Sequence, residues 1–336
     1  MRVLVLGATG HLGQAVVRRA LARGHEVTAA TRRAAPEALS DLKVTIARVD
    51  GEFSGLNELG AGHDSIVDAA APYPLEPCVA GSGAWRMAID GAVRRTERVV
   101  DAARRNRLRL VYISSFTTLP RREPPLAAME TAWRRSLYPY FEAKAAMERA
   151  VMAAAREGLP AAIVNPAACL GPWEFRAEGS SFVRLVLARR LPAVMDQTIC
   201  AIDVRDVADA IERALEQEFF GRPIALAGHN IGMVELARQI LIADGAGGQG
   251  PAAIDARLAS LTAFWTAAAY AAFNRSAPDM WRAVPLVADG FPMLPSPEQV
   301  AMGLEIRPLA DTLRDAVAFC RSRGHGSGRR GSGLGI

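Results

Sequence analysis

Cysteine and histidine are scarce in this sequence and are not clustered. The 336 residues include four cysteines and five histidines, with no CxxC pair and no histidines at metal-ligand spacing from them. This pattern argues against a disulfide framework and a bound metal, and favours a reducing, cytoplasmic location. The amino terminus runs directly into an apolar strand pattern, and we expect no targeting signal there.

The sequence also lacks an apolar run that could span a membrane. Its longest uncharged stretch lies between Arg257 and Arg275, contains several hydroxyl residues, and falls short of the ~20 apolar residues that a spanning helix needs. We expect a packed or substrate-facing helix here, with contact to a membrane surface as the alternative. Net charge is +5, and arginine doublets alternate with acidic residues. This suits small anionic ligands better than nucleic acid.

Lysine is nearly absent. Of 40 basic residues, two are lysines (Lys43 and Lys144) and the other 38 are arginines. A compact ammonium cannot be replaced by the planar guanidinium of arginine. We therefore expect the positions of the two lysines to be informative.

The first half of the chain alternates short apolar runs with helical patterns. Strands are predicted at Val3–Leu6, Val27–Thr31, Val44–Val49, Ser65–Ala70, Leu108–Ser114 and Ala161–Val164. Helices are predicted at Leu12–Arg23, Ala84–Arg105, Tyr140–Arg156 and Asp206–Glu218. This alternation predicts βαβ units, and hence an α/β fold with a doubly wound parallel Rossmann sheet.

The loss of this pattern after Pro166 predicts a second lobe. We expect residues 1–165, joined by 201–218, to form an NAD(P)-binding Rossmann domain. Residues 166–200 and 219–323 are assigned to a smaller, mainly helical C-terminal substrate lobe. Residues 324–336 are low in complexity and predict a disordered tail.

A glycine-rich turn follows the first predicted strand and opens the first helix. Its spacing is GxxGxxG, and its context provides a tight turn and a helix amino terminus that can face a pyrophosphate. The alternative is a glycine turn without a ligand. The residues predicted to bind the cofactor here are Gly7, Thr9, Gly10, His11, Leu12 and Gly13.

The end of the second strand bears on the choice of cofactor. NAD enzymes carry an acidic residue there, whereas this chain has Arg32 and Arg33. Two guanidinium groups favour the 2′-phosphate of NADP, with NAD still possible; solvated surface arginines are the alternative. Asp50, after the third strand, is placed either to meet the adenine amino group or to cap a turn.

Tyr140 and Lys144 are four residues apart and lie on one face of a predicted helix. A nearby ammonium stabilises a phenolate, so this pair could pass a proton to or from a carbonyl oxygen. Chance spacing is the alternative. Ser115, at the end of the fifth strand, is preferred over Ser114 as a donor to the substrate oxygen, with a structural serine as the alternative.

Together these motifs resemble the extended short-chain dehydrogenase/reductase family, also called the NAD-dependent epimerase/dehydratase superfamily. Within it, the dihydroflavonol-4-reductase-like and hopanoid-associated sugar epimerase group is most similar, on segments such as residues 111–115, 163–166 and 202–208. The resemblance implies that Tyr140 is the acid-base, Lys144 its ribose-binding partner and Ser115 the substrate polariser. It also implies that Ala70, Ala71 and Pro166 line the nicotinamide.

The chain departs from the pattern of that group in three places. A strand that usually ends His-x-Ala-Ala begins that motif with Asp68, and a helix that usually carries Asn-Val-x-Gly-Thr has Ala92 and Arg95 in place of Asn and Gly. The stretch between Gly290 and Arg307 is also shorter than is usual for the group. The first two departures lie beside the expected cofactor site and could alter a proton relay.

Three functions fit these observations. The first is an NADP-favouring oxidoreductase that acts on a carbonyl or hydroxyl of a small, largely apolar molecule, with Phe264, Trp265, Tyr270 and Phe273 either serving the substrate or packing in the core. The second is an NAD-dependent nucleotide-sugar epimerase or dehydratase, although Phe116-Thr117 replaces the acidic pair of the dehydratases. The third is a redox-sensing regulator. We expect a homodimer that pairs through the helices at 84–105 and 140–156, without nucleic acid or a membrane span.

Overall fold

A computed structural model of the chain describes residues 1–32, 36–120, 132, 135–175, 181–247, 249–273, 275 and 277–323. Within this part, seven parallel strands form one sheet in the order β10-β6-β5-β4-β1-β2-β3. The strands are β1 (Arg2–Leu6), β2 (Glu26–Thr31), β3 (Thr45–Arg48), β4 (Ser65–Asp68), β5 (Arg109–Ile113), β6 (Ala161–Pro166) and β10 (Pro223–Leu226). The order reverses at β1, which confirms the doubly wound Rossmann architecture.

Helices cover both faces of this sheet. Successive residues of a strand point to opposite sides of the sheet, so apolar side chains on both sides need a helix layer to pack against. Val3 and Val5 pack with one pair of helices, α1 (His11–Ala22) and α6 (Val204–Glu216). Leu4 and Leu6 pack with the other pair, α3 (Gly83–Asn106) and α4 (Pro139–Arg156). The short helix α2 (Leu56–Gly60) packs beside α3. Nearly continuous apolar strands are what a sheet buried on both faces requires.

The remaining elements make up the part of the described chain outside this sheet. Its strands are β7 (Ala168–Leu170), β8 (Ala193–Met195), β9 (Thr198–Asp203), β11 (His229–Gly232) and β12 (Ala252–Ile254), paired as β11-β9-β7 and β12-β8. Its helices are α5 (Phe182–Leu187), α7 (Met233–Ala243), α8 (Ala256–Ala272), α9 (Asp279–Val287), α10 (Pro297–Ala301) and α11 (Leu309–Ser322).

The main sheet includes one strand that the sequence analysis assigned to the substrate lobe. Residues 219–323 were all assigned to the substrate lobe, but β10 hydrogen-bonds to β6 and completes the main sheet. Ile224 and Leu226 are fully buried in it. A strand of four residues with proline at its start carries too little pattern for sequence to place it. The expected tail, 324–336, lies outside the described residues.

Helix α8, expected to be packed or substrate-facing, buries only small side chains. Its inward face is the alanine series 256, 259, 263 and 267, whereas Leu258, Leu261 and Trp265 are more than half exposed. Phe273, just beyond its end, is 79% exposed. Core packing therefore does not explain Trp265 or Phe273. Within the described residues, no helix combines the length and the apolar character needed to cross a membrane.

Candidate active site

The predicted site residues meet at one edge of the main sheet. Strands β1, β4, β5 and β6 are parallel neighbours, so their carboxyl ends, Leu6, Asp68, Ile113 and Pro166, lie along the same edge. In open α/β sheets this edge is where ligands bind. The glycine turn follows Leu6, and Ser115 follows Ile113 by two residues.

The glycine turn leaves no room for a side chain at Gly7 or at Gly13. Gly7 has φ +74°, and a Cβ atom there would lie 2.7 Å from the carbonyl oxygen of Ala69. A Cβ atom on Gly13 would lie 2.1 Å from the carbonyl oxygen of Gly7, which itself accepts a 2.9 Å hydrogen bond from the N–H of Gly10. This close approach of bare backbone is what a dinucleotide pyrophosphate requires.

The amino terminus of α1 is available to an anion. Gly10 occupies the N-cap position, no side chain caps the helix, and its first turn contains no acidic residue. The first N–H groups of a helix attract negative charge. Two of the predicted binding residues face elsewhere: the His11 ring lies 2.9 Å from the carbonyl oxygen of Pro172, and Leu12 packs against the apolar core. Thr9 lies in the turn itself.

The residues expected to select the cofactor are only partly described. Arg32 is exposed directly after β2, and Arg33 lies outside the described residues. One carboxylate oxygen of Asp50 accepts hydrogen bonds from the N–H groups of Glu52 and Ser54, each at 3.0 Å. These hydrogen bonds lower the pKa of the Asp50 carboxyl, and the bond from the Ser54 N–H has the largest effect. Asp50 therefore caps the turn that follows it, and its contact with the adenine amino group stays a prediction.

Tyr140 and Ser115 are brought together although 25 residues separate them. The Tyr140 hydroxyl lies 3.3 Å from Ser115 Oγ, and Ser115 Oγ also accepts a 3.0 Å bond from the Thr117 hydroxyl. Ser114 turns away and donates to Glu148 at 2.5 Å. The preference for Ser115 over Ser114 thus matches the geometry beside Tyr140.

The pKa of Tyr140 moves opposite to the sequence expectation. An adjacent ammonium was expected to lower it, but burial of the phenol raises this pKa well above its ordinary range, and Tyr73 adds to the rise. Hydrogen bonds with Ser115 and Thr117 oppose the rise without cancelling it. In this arrangement the phenol keeps its proton at neutral pH.

Lys144 is buried one helical turn beyond Tyr140. Its Nζ donates to the carbonyl oxygen of Ile113 at 3.4 Å and lies 5.5 Å and 5.8 Å from the ring centroids of Tyr73 and Tyr112. Burial lowers the pKa of Lys144 to about 8, although the carboxylate of Asp68 opposes that change. Lys144 therefore remains mostly protonated at pH 7.

A polar cluster that the sequence did not suggest supports this site. Glu148 Oε2 accepts hydrogen bonds from the hydroxyl of Thr118 at 2.7 Å and the amide of Asn165 at 2.8 Å, besides that from Ser114. Asn165 also donates to the carbonyl oxygen of Ser115 at 3.2 Å. The available signal was helical spacing, because Tyr140, Lys144 and Glu148 repeat every four residues.

The two unusual residues beside the cofactor site form an ion pair. Arg95 donates two hydrogen bonds to Asp68, at 3.0 Å and 2.7 Å, and both side chains are buried. Burial would raise the pKa of Asp68, but the charge and hydrogen bonds of Arg95 outweigh it and hold that pKa below its usual value. The sequence revealed both unusual residues, but it did not show that the negative charge of Asp68 is paired with the positive charge of Arg95.

The residues expected to line the nicotinamide lie at the same edge. Ala70 follows β4, and its N–H donates to Asp68 at 3.1 Å, while its Cβ atom is 2.8 Å from where a Cβ on Gly7 would be. Ala71 is the next residue and is half-buried. Pro166 ends β6 and pairs with Leu226 of β10.

The sequence of this chain is similar to those of known proteins. The model of the NAD dependent epimerase/dehydratase family matches residues 3–227. Sterol demethylase protein B of Methylococcus capsulatus is 30% identical over 68% of this chain and 70% of its own length. A dihydroflavonol 4-reductase candidate of Synechocystis is 27% identical over 61% of this chain and 60% of its own length.

A solved structure shows the fold independently. UDP-glucuronic acid 4-epimerase of Bacillus cereus, in complex with UDP-glucuronic acid and NAD, superposes with a TM-score of 0.70 at 14% identity. The match covers 96% of this chain and 100% of that one. The family model covers well over half of the sequence, from the glycine turn through β10. The chain therefore belongs to the NAD-dependent epimerase/dehydratase family.

Proposed function

We propose that the protein is a reductase or dehydrogenase that transfers hydride between a nicotinamide cofactor and a carbonyl or hydroxyl carbon of a small, largely apolar molecule. The observation that carries this proposal is the pairing of Tyr140 with Ser115 at 3.3 Å, at the sheet edge that also bears the glycine turn. Lys144 lies one helical turn from Tyr140, on the same helix face.

The residues present fit a dinucleotide. Gly7, Gly10 and Gly13 would admit its pyrophosphate, and the uncapped amino terminus of α1 would offset the phosphate charge. Lys144 would hold the ribose, while Ala70, Ala71 and Pro166 would border the nicotinamide. The cofactor supplies hydride donation or acceptance when bound.

The chain itself supplies the proton and orients the substrate oxygen. Ser115 would donate a hydrogen bond to a carbonyl oxygen and stabilise the negative charge that develops on it. Tyr140 would then give its proton to that oxygen as a general acid. Because burial keeps the phenol protonated, Tyr140 is in the form that a general acid needs for the reduction of a carbonyl.

An apolar substrate is supported by two observations. The names of the two curated relatives refer to a sterol and to a dihydroflavonol, which are multi-ring molecules with few charged groups. The second lobe of this chain presents exposed Trp265 and Phe273. Arg32, exposed after β2 with no acidic residue beside it, supports NADP over NAD.

A cofactor titration tests the proposal first. The purified, nucleotide-stripped protein would be titrated with NADPH and NADH by nicotinamide fluorescence, together with Arg32→Ala. We expect tighter NADPH binding, lost selectively in Arg32→Ala. Tight NAD(H) that resists stripping, together with measurable binding of UDP or dTDP ligands, would replace this proposal with a nucleotide-sugar epimerase.

Turnover then tests the role of Tyr140. With a panel of apolar ketones and NADPH, we expect Tyr140→Phe to lose roughly 10²–10⁴-fold in rate, the usual contribution of a general acid, with cofactor affinity retained. Tyr138→Phe, a buried tyrosine two residues earlier, is the matched control and should keep its rate. Full activity in Tyr140→Phe would show that Tyr140 is not the general acid, whereas a wild-type protein that binds NADPH but turns over no substrate would favour a cofactor-sensing protein.

We also propose a homodimer that pairs through α3 and α4. Both helices are long, pack against each other and cover one face of the sheet. Light scattering checks this, and a monomeric mass at micromolar concentration would refute it.

A further inference from the structure

Asp68 and Arg95 make a paired, buried contact beside the catalytic edge. Asp68 ends β4, Arg95 comes from the middle of α3, and their two parallel hydrogen bonds are the bidentate geometry of an arginine–carboxylate pair. The guanidinium carbon of Arg95 also lies 4.3 Å from the ring centroid of Phe53. Both side chains are therefore fixed from more than one side.

Stability alone does not account for such a pair. Transferring two charges from water into a protein interior costs several kcal/mol per ion, and well-packed apolar residues of similar volume are often equally stable or more so. The retention of this charged pair in a largely apolar core is therefore a reason to ask which groups the pair contacts.

The pair faces the glycine turn on one side. Asp68 accepts the N–H of Ala70 at 3.1 Å, which fixes the backbone of the Ala69–Ala70 segment. That segment is the surface against which Gly7 packs without room for a Cβ atom. A displacement of Asp68 would therefore be transmitted to the turn that receives the pyrophosphate.

On the other side the pair approaches Lys144: Asp68 is the register partner of Tyr112 in β5, and Lys144 Nζ lies 5.8 Å from the ring centroid of Tyr112. The carboxylate of Asp68 raises the pKa of Lys144 and the guanidinium of Arg95 lowers it, against the larger lowering by burial. Glu148, on the same helix as Lys144, also raises it. The rings of Tyr73 and Tyr112 also lie beside Lys144 Nζ, and Tyr140 lies one helical turn away on the same helix.

We propose that Asp68 and Arg95 are positioning residues of the active site: they hold Ala69–Ala70 against the glycine turn and set the charge of Lys144. Asp68 keeps the buried ammonium protonated, and Arg95 limits that effect by compensating most of the carboxylate charge. The catalytic importance of Lys144 rests on the proposed function, whereas the effect of Asp68 and Arg95 on its charge does not.

The near absence of lysine makes the test direct. Protein labelled with [ε-¹³C]lysine has two lysine signals, from exposed Lys43 and buried Lys144, and Lys43→Arg assigns them. We expect the titration midpoint of Lys144 to fall by roughly one pH unit or more in Asp68→Asn and to rise in Arg95→Met. Lys43 serves as the internal control and should not move.

Two further variants separate electrostatics from folding. Asp68→Asn/Arg95→Met leaves no uncompensated buried charge, and its Lys144 midpoint should lie between those of the single variants. Asp68→Glu keeps the charge and should restore the midpoint towards the wild-type value. If Asp68→Asn does not fold, the upward shift of Arg95→Met relative to the double variant decides the question.

A purely structural role predicts something different. Both single variants would then lose stability while the Lys144 midpoint stayed constant or moved in the same direction, and either result would overturn the inference. The titration needs no substrate. If the Lys144 midpoint shifts in opposite directions but the protein binds no nicotinamide cofactor, this inference holds and the proposed function is refuted. If the protein turns over substrate normally but the midpoint does not move, the proposed function holds and this inference is refuted.

Discussion

Tyr73 stacks on Tyr140, with ring centroids 5.2 Å apart and ring planes inclined by 29°. Tyr73 is 55% exposed, whereas Tyr140 is only 2% exposed. The backbone also links this segment to the catalytic helix, because the N–H of Tyr140 donates to the carbonyl oxygen of Pro74 at 3.1 Å. Tyr73 thus separates the phenol of Tyr140 from solvent and contributes to its raised pKa.

Removing this ring should uncover Tyr140. In Tyr73→Ala we expect N-acetylimidazole, which acetylates accessible phenols, to modify Tyr140, whereas the wild-type residue should be protected. Peptide mass spectrometry measures the modification at each tyrosine. Two tyrosines are internal controls. Tyr270, which is 37% exposed, should be modified in both proteins, and Tyr112, which is fully buried, should be modified in neither. Equal acetylation of Tyr140 in both would show that Tyr73 does not cover it.

The glycine turn gives a prediction about both binding and stability. In Gly13→Ala the new Cβ atom would meet the carbonyl oxygen of Gly7 at 2.1 Å, so the backbone of the turn must shift. We expect a loss of roughly 1–3 kcal/mol in the free energy of unfolding, typical of overpacking, and weaker cofactor binding by fluorescence titration.

The control for this substitution is another helical glycine. Gly83 begins α3, and a Cβ atom there would meet nothing within 4 Å. Gly83→Ala should therefore keep cofactor affinity and change the free energy of unfolding by no more than about 0.5 kcal/mol. If Gly13→Ala behaved like Gly83→Ala, the turn would not be the pyrophosphate site.

Periodicity and turn chemistry sufficed to predict the main sheet. The strand ending at Leu6 and the helix starting near His11 were placed within one or two residues, because a continuous apolar run followed by glycines has few alternatives. The edge strand β10 was missed because four residues carry little pattern. Its place in the sheet depends on pairing with β6, which lies about 60 residues earlier, and local sequence does not encode such a contact.

The site was predictable where residues share one helix and much less where they meet in space. The Tyr140–Lys144 spacing could be read directly, whereas the Asp68–Arg95 pair joins a strand and a helix 27 residues apart. The raised pKa of Tyr140 was not foreseen because its largest cause is burial of the phenol, which no local motif reports. The hydrogen bonds from Glu52 and Ser54 to Asp50 show that it caps a turn, which the sequence left as one of two alternatives.

The carboxylate of Glu148 should matter for catalysis more than for cofactor binding. Glu148→Gln keeps the size of the side chain but removes a charged acceptor shared by Ser114, Thr118 and Asn165. We expect a loss of about 1–3 kcal/mol in the free energy of unfolding. Because Asn165 holds the carbonyl oxygen of Ser115, we also expect a lower kcat with unchanged cofactor affinity.

Glu142→Gln is the matched control for that variant, because Glu142 lies on the same helix but pairs with Arg149 at the surface. Exposed ion pairs contribute little, so stability should change by less than about 0.5 kcal/mol and kcat should stay constant. Equal effects of the two substitutions, measured by urea unfolding and steady-state kinetics, would remove the special role assigned to Glu148.

The buried ammonium of Lys144 predicts how stability depends on pH. Its pKa in the folded protein is about 8, below the ordinary lysine value of 10.5, so between these values the unfolded chain binds a proton that the folded chain has released. Stability relative to Lys144→Met should therefore rise with pH across this window, by up to about 3 kcal/mol. Urea unfolding at pH 7, 8, 9 and 10 measures the difference. For Lys43→Met, at an exposed lysine, the difference in stability from the wild type should not change with pH. If the difference for Lys144→Met did not change with pH either, Lys144 would be solvated in the folded protein.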